Sequence, residues 1–151
     1  MSRSEKIELA VLCMLRSEGK ILLQKRVKEG DWHGLVTLPG GHVERNESVV
    51  DAVIREVREE CGLTIVNPQL RGLKQFPLDE GRYLVFLFYA DEFEGVLQDS
   101  AEGPVKWIPE VELTNYEMAP DYEALFKVFL DESLTEFLYV RDNDEWHFVL
   151  K

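Results

Sequence analysis

Three glutamates stand close together in the stretch Arg55-Glu56-Val57-Arg58-Glu59-Glu60. On a helix with 3.6 residues per turn, Glu56, Glu59 and Glu60 fall on one arc of roughly 100°. They lie beside an apolar arc formed by Val49, Val50, Val53, Ile54 and Val57. Glu56 and Glu60 lie nearest that apolar edge, while Arg55, Arg58 and Asp51 occupy the outer face. Carboxylates brought this close repel one another and raise each other's pKa unless a positive charge intervenes. A hard divalent cation resolves the conflict. Magnesium is the first choice and manganese the alternative, since magnesium keeps coordination positions for water and substrate phosphate. A solvated acidic face with i,i+4 pairs such as Arg55 with Glu59 accounts for the same run. The helix alone therefore leaves both readings open.

The elements that must position these residues can be read from the apolar pattern. Asn46 is the expected N-cap of the helix, Glu47 and Asp51 complement its positive end, and Gly62 is the expected terminator. Upstream, Ile7–Leu15 and Ile21–Gln24 read as a β-hairpin, followed by a polar loop over Val27–Gly34. Leu35–Leu38 is a short apolar stretch that the turn signal Pro39-Gly40-Gly41 should stop. Downstream, Thr64–Val66 and Leu70–Phe76 read as strands, and the nearly all-apolar Tyr83–Ala90 as a strand buried on both faces. Val105–Ile108 is a further short strand. Tyr122–Leu130 is a second helix, with Leu125, Phe126, Phe129 and Leu130 on its apolar side and Asp121 as a good N-cap. Phe137–Val140 and Trp146–Leu150 form a last hairpin. Strands on both sides of a long helix, followed by a late helix, predict an α/β fold with a mixed sheet covered on two faces.

Composition narrows the function classes. A chain of 151 residues suits one domain, residues 1–151, with one substantial core. No apolar run reaches the ~20 residues that span a bilayer, and the N-terminal stretch, which includes Glu8, does not read as a signal peptide. The formal charge of −12 disfavours binding to nucleic acid or an anionic membrane. It also sets a problem for any phosphate substrate, which divalent cations on clustered carboxylates would solve. Cys13 and Cys61 show neither metal-ligand spacing nor a disulfide framework, which is expected of a cytoplasmic protein.

The flanking residues add a specific pattern. Gly41 leads, Glu47 follows after five residues, and Arg55-Glu56-Val57-Arg58-Glu59-Glu60-Cys61-Gly62-Leu63 follows after seven more. The segment resembles the box of the Nudix hydrolases at every defined position. That resemblance implies an α/β/α sandwich and cleavage of a diphosphate linkage with magnesium. It implies Glu56, Glu59 and Glu60 as metal-binding carboxylates and the Gly40 carbonyl as a further ligand. Glu47 is the supporting glutamate of the box, and Arg55 orients a box carboxylate. Glu102, in the loop before Val105-Lys106-Trp107, matches a loop glutamate that serves catalysis in many relatives.

The late chain narrows the resemblance. Val105-Lys106-Trp107-Ile108-Pro109 and Met118-Ala119-Pro120-Asp121-Tyr122 look like the MutT-type and animal-type enzymes that hydrolyse oxidised purine nucleoside triphosphates such as 8-oxo-dGTP. By that likeness Asp121 contacts the purine edge and Thr37 lies at a base-contacting position. Two residues depart from the animal-type pattern: Pro120 stands where a second acid is found, and Thr37 where an asparagine is found. Trp32, Phe76, Tyr83, Trp107 and Tyr116 are candidates to stack on a base, while His33 and His42 read as loop residues. The expected partner is a small nucleotide, and the expected assembly a monomer or homodimer. ADP-ribose, a dinucleoside polyphosphate, or a ligand-sensing domain without catalysis are the rival readings; an intact set of box glutamates speaks against the last.

Overall fold

The structure is a computed structural model that describes residues 2–30 and 32–151. Its organising strand is β1 (Ile7–Ser17), whose residues alternate between two cores. Ala10 and Met14 point to one side, and Val11, Cys13 and Leu15 to the other. This period-two alternation is what a strand covered on both faces requires. β1 turns into β2 (Lys20–Lys25) through Glu18 and Gly19, both at positive φ (51° and 75°). That is the backbone of a two-residue hairpin turn.

β3 (Val36–Thr37) and β4 (Gly40–His42) follow. The apolar stretch stops as expected, since β3 ends at Thr37 on β2, and Gly40 and Gly41 then open a new strand antiparallel to β1. A Cβ on Gly40 would lie 2.1 Å from the Val11 carbonyl oxygen. The glycine therefore serves close backbone approach and not a reversal of the chain.

Helix α1 spans Val49–Cys61. Its N-cap is Ser48, whose hydroxyl accepts from the Asp51 N–H at 3.0 Å, and not Asn46 as the sequence suggests. Asn46 instead takes φ 65° in the preceding turn, a conformation Asn tolerates well, and Glu47 remains outside the helix. Gly62 ends α1 as expected, at φ 77° with its N–H on the Arg58 carbonyl. Ala52, Val53 and Val57 are buried, whereas Val50, expected on the apolar arc, is 42% exposed.

The remaining strands are β5 (Leu63–Val66), β6 (Gln69–Leu78), β7 (Gly81–Ala90), β8 (Glu92–Gly95), β9 (Val105–Pro109), β10 (Glu136–Asp142) and β11 (Glu145–Leu150). A 3-10 helix covers Glu110–Asn115, and α2 covers Tyr122–Leu130 as expected. Among the described residues nine strands form one sheet, in which β11-β10-β6-β7-β1-β2-β3 run in order, β4 joins β1 and β9 joins β2. The sheet is mixed: β1 is parallel to β7, β10 is parallel to β6, and β6 is antiparallel to β7. β8 pairs with β5 outside it; its polar residues (Glu92 and Glu94) give no strand signal.

The two helices cover opposite faces. Ala52, Val53 and Val57 of α1 pack with Val11, Cys13, Leu15, Phe88 and Ala90. Leu125, Phe126, Val128 and Phe129 of α2 pack with Ala10, Met14, Val85 and Leu87. The α/β/α sandwich and the doubly buried β7 are as the sequence predicts. Leu130 departs from the pattern: it is 43% exposed, while Val128 is buried in its stead. Phe129→Ala is expected to cost about 3–5 kcal/mol of stability through the cavity it leaves. Leu130→Ala is expected to stay within about 1 kcal/mol of the parent. Urea unfolding of the two variants measures the difference.

Candidate active site

Arg55 is the hub of the acidic cluster. Its Nε donates to Glu47 Oε2 at 2.7 Å and its Nη2 to Glu47 Oε1 at 2.9 Å, a bidentate pair. Its Nη1 donates to Glu56 Oε1 at 3.0 Å and to Glu59 Oε2 at 3.1 Å. Its Nη2 also reaches the His42 carbonyl oxygen at 3.1 Å. One guanidinium thus ties the loop before α1 to the helix face and to β4. The Arg55 contacts hold the Glu47 carboxyl down at about 2, helped by the Glu44 N–H, and the guanidinium itself is raised further by Glu47.

Glu56 and Glu60 turn inward. Glu60 is only 4% exposed and accepts from the Gly40 N–H at 3.0 Å. Burial first, then the charges of Glu56 and Glu102, push its carboxyl up to about 8 against the opposing pull of that N–H. Glu56 is raised by burial too, although Arg55 opposes the shift. Gly41 must lack a side chain, because a Cβ there would come within 2.6 Å of the Glu56 carboxylate. Glu59 differs from its neighbours, since its side chain is 57% exposed.

Gly40, Gly41, Glu56 and Glu60 line a cleft of about 640 Å³. Glu102 lines it as well, ion-paired with Lys28, which is another lining residue. The loop glutamate is therefore brought to the box carboxylates and is close enough to raise both of their carboxyl groups. The rest of the lining is mostly aromatic and apolar, with Trp32, Phe76, Tyr83, Val85 and Leu12 beside Thr37 and Lys74. Phe76 and Tyr83 stack at 4.9 Å between centroids, and the Tyr83 hydroxyl meets His42 Nε2 at 3.0 Å. His42 thus belongs to β4, not to a loop. Trp107 and Tyr116 lie away from this cleft; Trp107 packs on Phe93 in the α1-side core.

Thr37 is a buried strand residue paired with Gln24 and also part of the cleft wall. Asp121 is not part of that wall. It precedes α2 at φ 60° without a capping bond, so its expected cap role is corrected. Its Oδ2 accepts instead from the Tyr139 hydroxyl at 2.6 Å.

A hard cation fits this donor set. The donors are carboxylate oxygens, one of them buried against repulsion from two others, beside a glycine whose missing side chain leaves room. Among the described residues no three acidic, His or Cys side chains converge into a ready-made cage. Magnesium commonly uses one or two carboxylates, completing its shell with water and phosphate.

The NUDIX domain family matches residues 6–129. The chain belongs to the Nudix hydrolases. It is 40% identical over 114 residues to the uncharacterised Nudix hydrolase YvcI of Bacillus subtilis, covering 72% of this chain and 70% of that protein. It is 34% identical over 125 residues to an ADP-ribose pyrophosphatase of Methanocaldococcus jannaschii, covering 81% and 72%. The crystal structure of a MutT protein from Bacillus halodurans superposes with a TM-score of 0.78 at 28% identity, covering 95% of this chain and 97% of that one. The protein is thus an enzyme of a family acting on pyrophosphate bonds, with the fold of MutT.

Within the Nudix box, Arg55 joins Glu47, Glu56 and Glu59 into one hydrogen-bonded network, and Glu60 stands beside it on the Gly40 N–H. Sequence reasoning missed Lys74, Arg26 and Lys28, which line the cleft but belong to no fixed motif. For Lys74 one signal was present: it shares the inward face of β6 with Gly72 and Phe76, a charge where alternation calls for an apolar residue.

The raised Glu60 carboxyl has a thermodynamic consequence. A folded pKa of about 8 against an ordinary 4.5 means that the stability Glu60 contributes is complete below 4.5. That stability is lost as pH rises through 8. In chelator, Glu60→Gln should match the parent in urea unfolding at pH 4 and exceed it at pH 9. Equal differences at both pH values would show that the fold does not resist ionisation of Glu60.

Proposed function

We propose that this protein hydrolyses nucleoside triphosphates, oxidised purines such as 8-oxo-dGTP foremost, to the monophosphate and pyrophosphate. One observation carries the reading: box carboxylates and an aromatic-walled pocket line the same cleft, as a substrate with phosphates and a flat base requires. The likeness to MutT in fold and in the Met118–Tyr122 segment supports the oxidised purine.

In this reading Glu56, Glu59 and Glu60, with the Gly40 carbonyl, hold magnesium, and manganese can replace it. Bound there, the metal supplies charge to the phosphate oxygens and a lowered pKa to the attacking water. Arg55 fixes Glu47 and Glu56 so that the helix face keeps its shape when the substrate leaves. Glu102, released from Lys28, takes the water proton as the water oxygen bonds to phosphorus and the anhydride P–O bond breaks. The leaving pyrophosphate keeps the bridging oxygen. Thr37 contacts the base in this reading, which its place in the cleft wall supports, and Asp121, outside that wall, acts on the base through its charge on Lys74. Two buried free cysteines suit a reducing compartment, and we place the enzyme in the cytoplasm; among the described residues no helix is long and apolar enough to cross a membrane.

A second reading, ADP-ribose, is favoured by the 34% identity to an ADP-ribose pyrophosphatase. A magnesium-dependent screen of 8-oxo-dGTP, unmodified nucleoside triphosphates and ADP-ribose separates the two by kcat/KM. With the best triphosphate, phosphorus NMR should show pyrophosphate as the first product; orthophosphate plus a diphosphate would mean a different bond is cut. Chelator should abolish turnover, and the Glu59→Gln, Glu60→Gln double variant should lose it by orders of magnitude. Glu102→Gln should lower kcat by about 100-fold or more for a group that takes the water proton. An unchanged kcat would move that role to a box carboxylate.

A further inference from the structure

Lys74 has no part in the hydrolysis described above, yet it is buried in the cleft. It is 6% exposed. Its ammonium lies 5.4 Å from the ring centres of Trp32 and Tyr139 and 5.7 Å from that of Phe137. Cation–π attraction offsets part of the cost of burying the charge. The full offset needs a hydrogen-bond acceptor. Among the described residues, the opposing charge that acts on Lys74 is Asp121, whose carboxylate is already engaged by the Tyr139 hydroxyl. Burial accordingly lowers the Lys74 ammonium to about 8, so it remains largely protonated at neutral pH.

Lys74 also lines a small cavity that adjoins the cleft and shares Leu12, Trp32, Thr37 and Leu38 with it. An ammonium offers three donors and no acceptor. Whatever enters beside it must therefore present an acceptor, and the ring-lined walls favour a flat unsaturated group. The geometry points to Lys74 as the residue that selects the base, by donating to an exocyclic carbonyl oxygen of a keto-type nucleobase seated against Trp32. This rests on the reading of the cleft as a nucleotide site.

An exocyclic oxygen projects beyond the ring and carries two lone pairs, so it reaches an ammonium recessed among aromatic groups. A ring nitrogen is set back between its neighbours. The exocyclic amino group of adenine would set donor against donor and leave the buried ammonium without a partner. Guanine, 8-oxoguanine, uracil and thymine meet the requirement, and adenine does not. Asp121 then acts as a positioning residue that keeps the ammonium charged and aimed.

Calorimetric binding of dGMP, dUMP and dAMP in magnesium, to the full chain and to Lys74→Met, tests this without turnover. Methionine is close in volume and removes a buried charge, so the variant should unfold at no lower temperature than the parent. The parent should bind dGMP and dUMP about 10- to 100-fold more tightly than dAMP, the range of one hydrogen bond from a charged donor. Lys74→Met should bring the three within about threefold, less than 1 kcal/mol apart. Binding that does not favour the keto bases in the parent, or a preference that survives Lys74→Met, overturns the inference. A Lys74-dependent preference without hydrolysis of any triphosphate would leave base selection standing and remove the proposed reaction. Hydrolysis of triphosphates without that preference would do the reverse.

Discussion

The structure depends on one guanidinium holding together carboxylates that would otherwise push apart. Arg55 bonds Glu47, Glu56 and Glu59 and the His42 carbonyl at 2.7 to 3.1 Å. Its two contacts with Glu47 are strong in kind, being charge-assisted and bidentate. Because Glu47 precedes α1 and His42 belongs to β4, these bonds set the helix against the strand. The Arg55 bond fixes how Glu56 faces the cleft, while Glu60 is held by the Gly40 N–H. Arg55 offsets only part of the charge: Glu60 stays beyond its reach, and its carboxyl is raised by burial and by its acidic neighbours.

That unresolved repulsion can persist because the surrounding packing is firm. β1 and β7 run parallel at the centre of the sheet, and each sends alternate residues into two cores. α1 is anchored through Val53 and Val57, with almost no exposure, one turn away from Glu56 and Glu60. A helix so anchored can carry an unfavourable pair of carboxylates, since moving them apart would open the core. Gly40 and Gly41 extend the argument to the backbone: a side chain on either would strike Val11 or Glu56, so the strand edge and the acidic face touch directly.

The cleft joins two kinds of chemistry. Carboxylates line one part of it, and Trp32, Phe76 and Tyr83 line another. Arg26 and Lys28 stand in the lining among the acids, in a chain whose net charge is −12.

The sequence by itself determined the family and most of the elements. The fixed spacing from Gly41 to Leu63 specifies a loop, a helix and an αL exit at Gly62, all governed by contacts within a few residues. The period of the apolar residues likewise determined β7 and α2, because burial on one or both faces is written locally. Tertiary structure alone decided what depends on residues distant in the chain. Ser48 took the cap because Asn46 was needed in a left-handed turn that returns Glu47 to Arg55. β8, with Phe93 as its one apolar side chain, became a strand because β5 offered it an edge. Asp121 turned to Tyr139, 18 residues away, in place of the helix end beside it. Lys74 became part of the cleft because three aromatic rings, from a loop and from β10, close around it. In each case a free-energy gain from a remote partner outweighed a modest local preference, and no pattern of near neighbours encodes which partner that is.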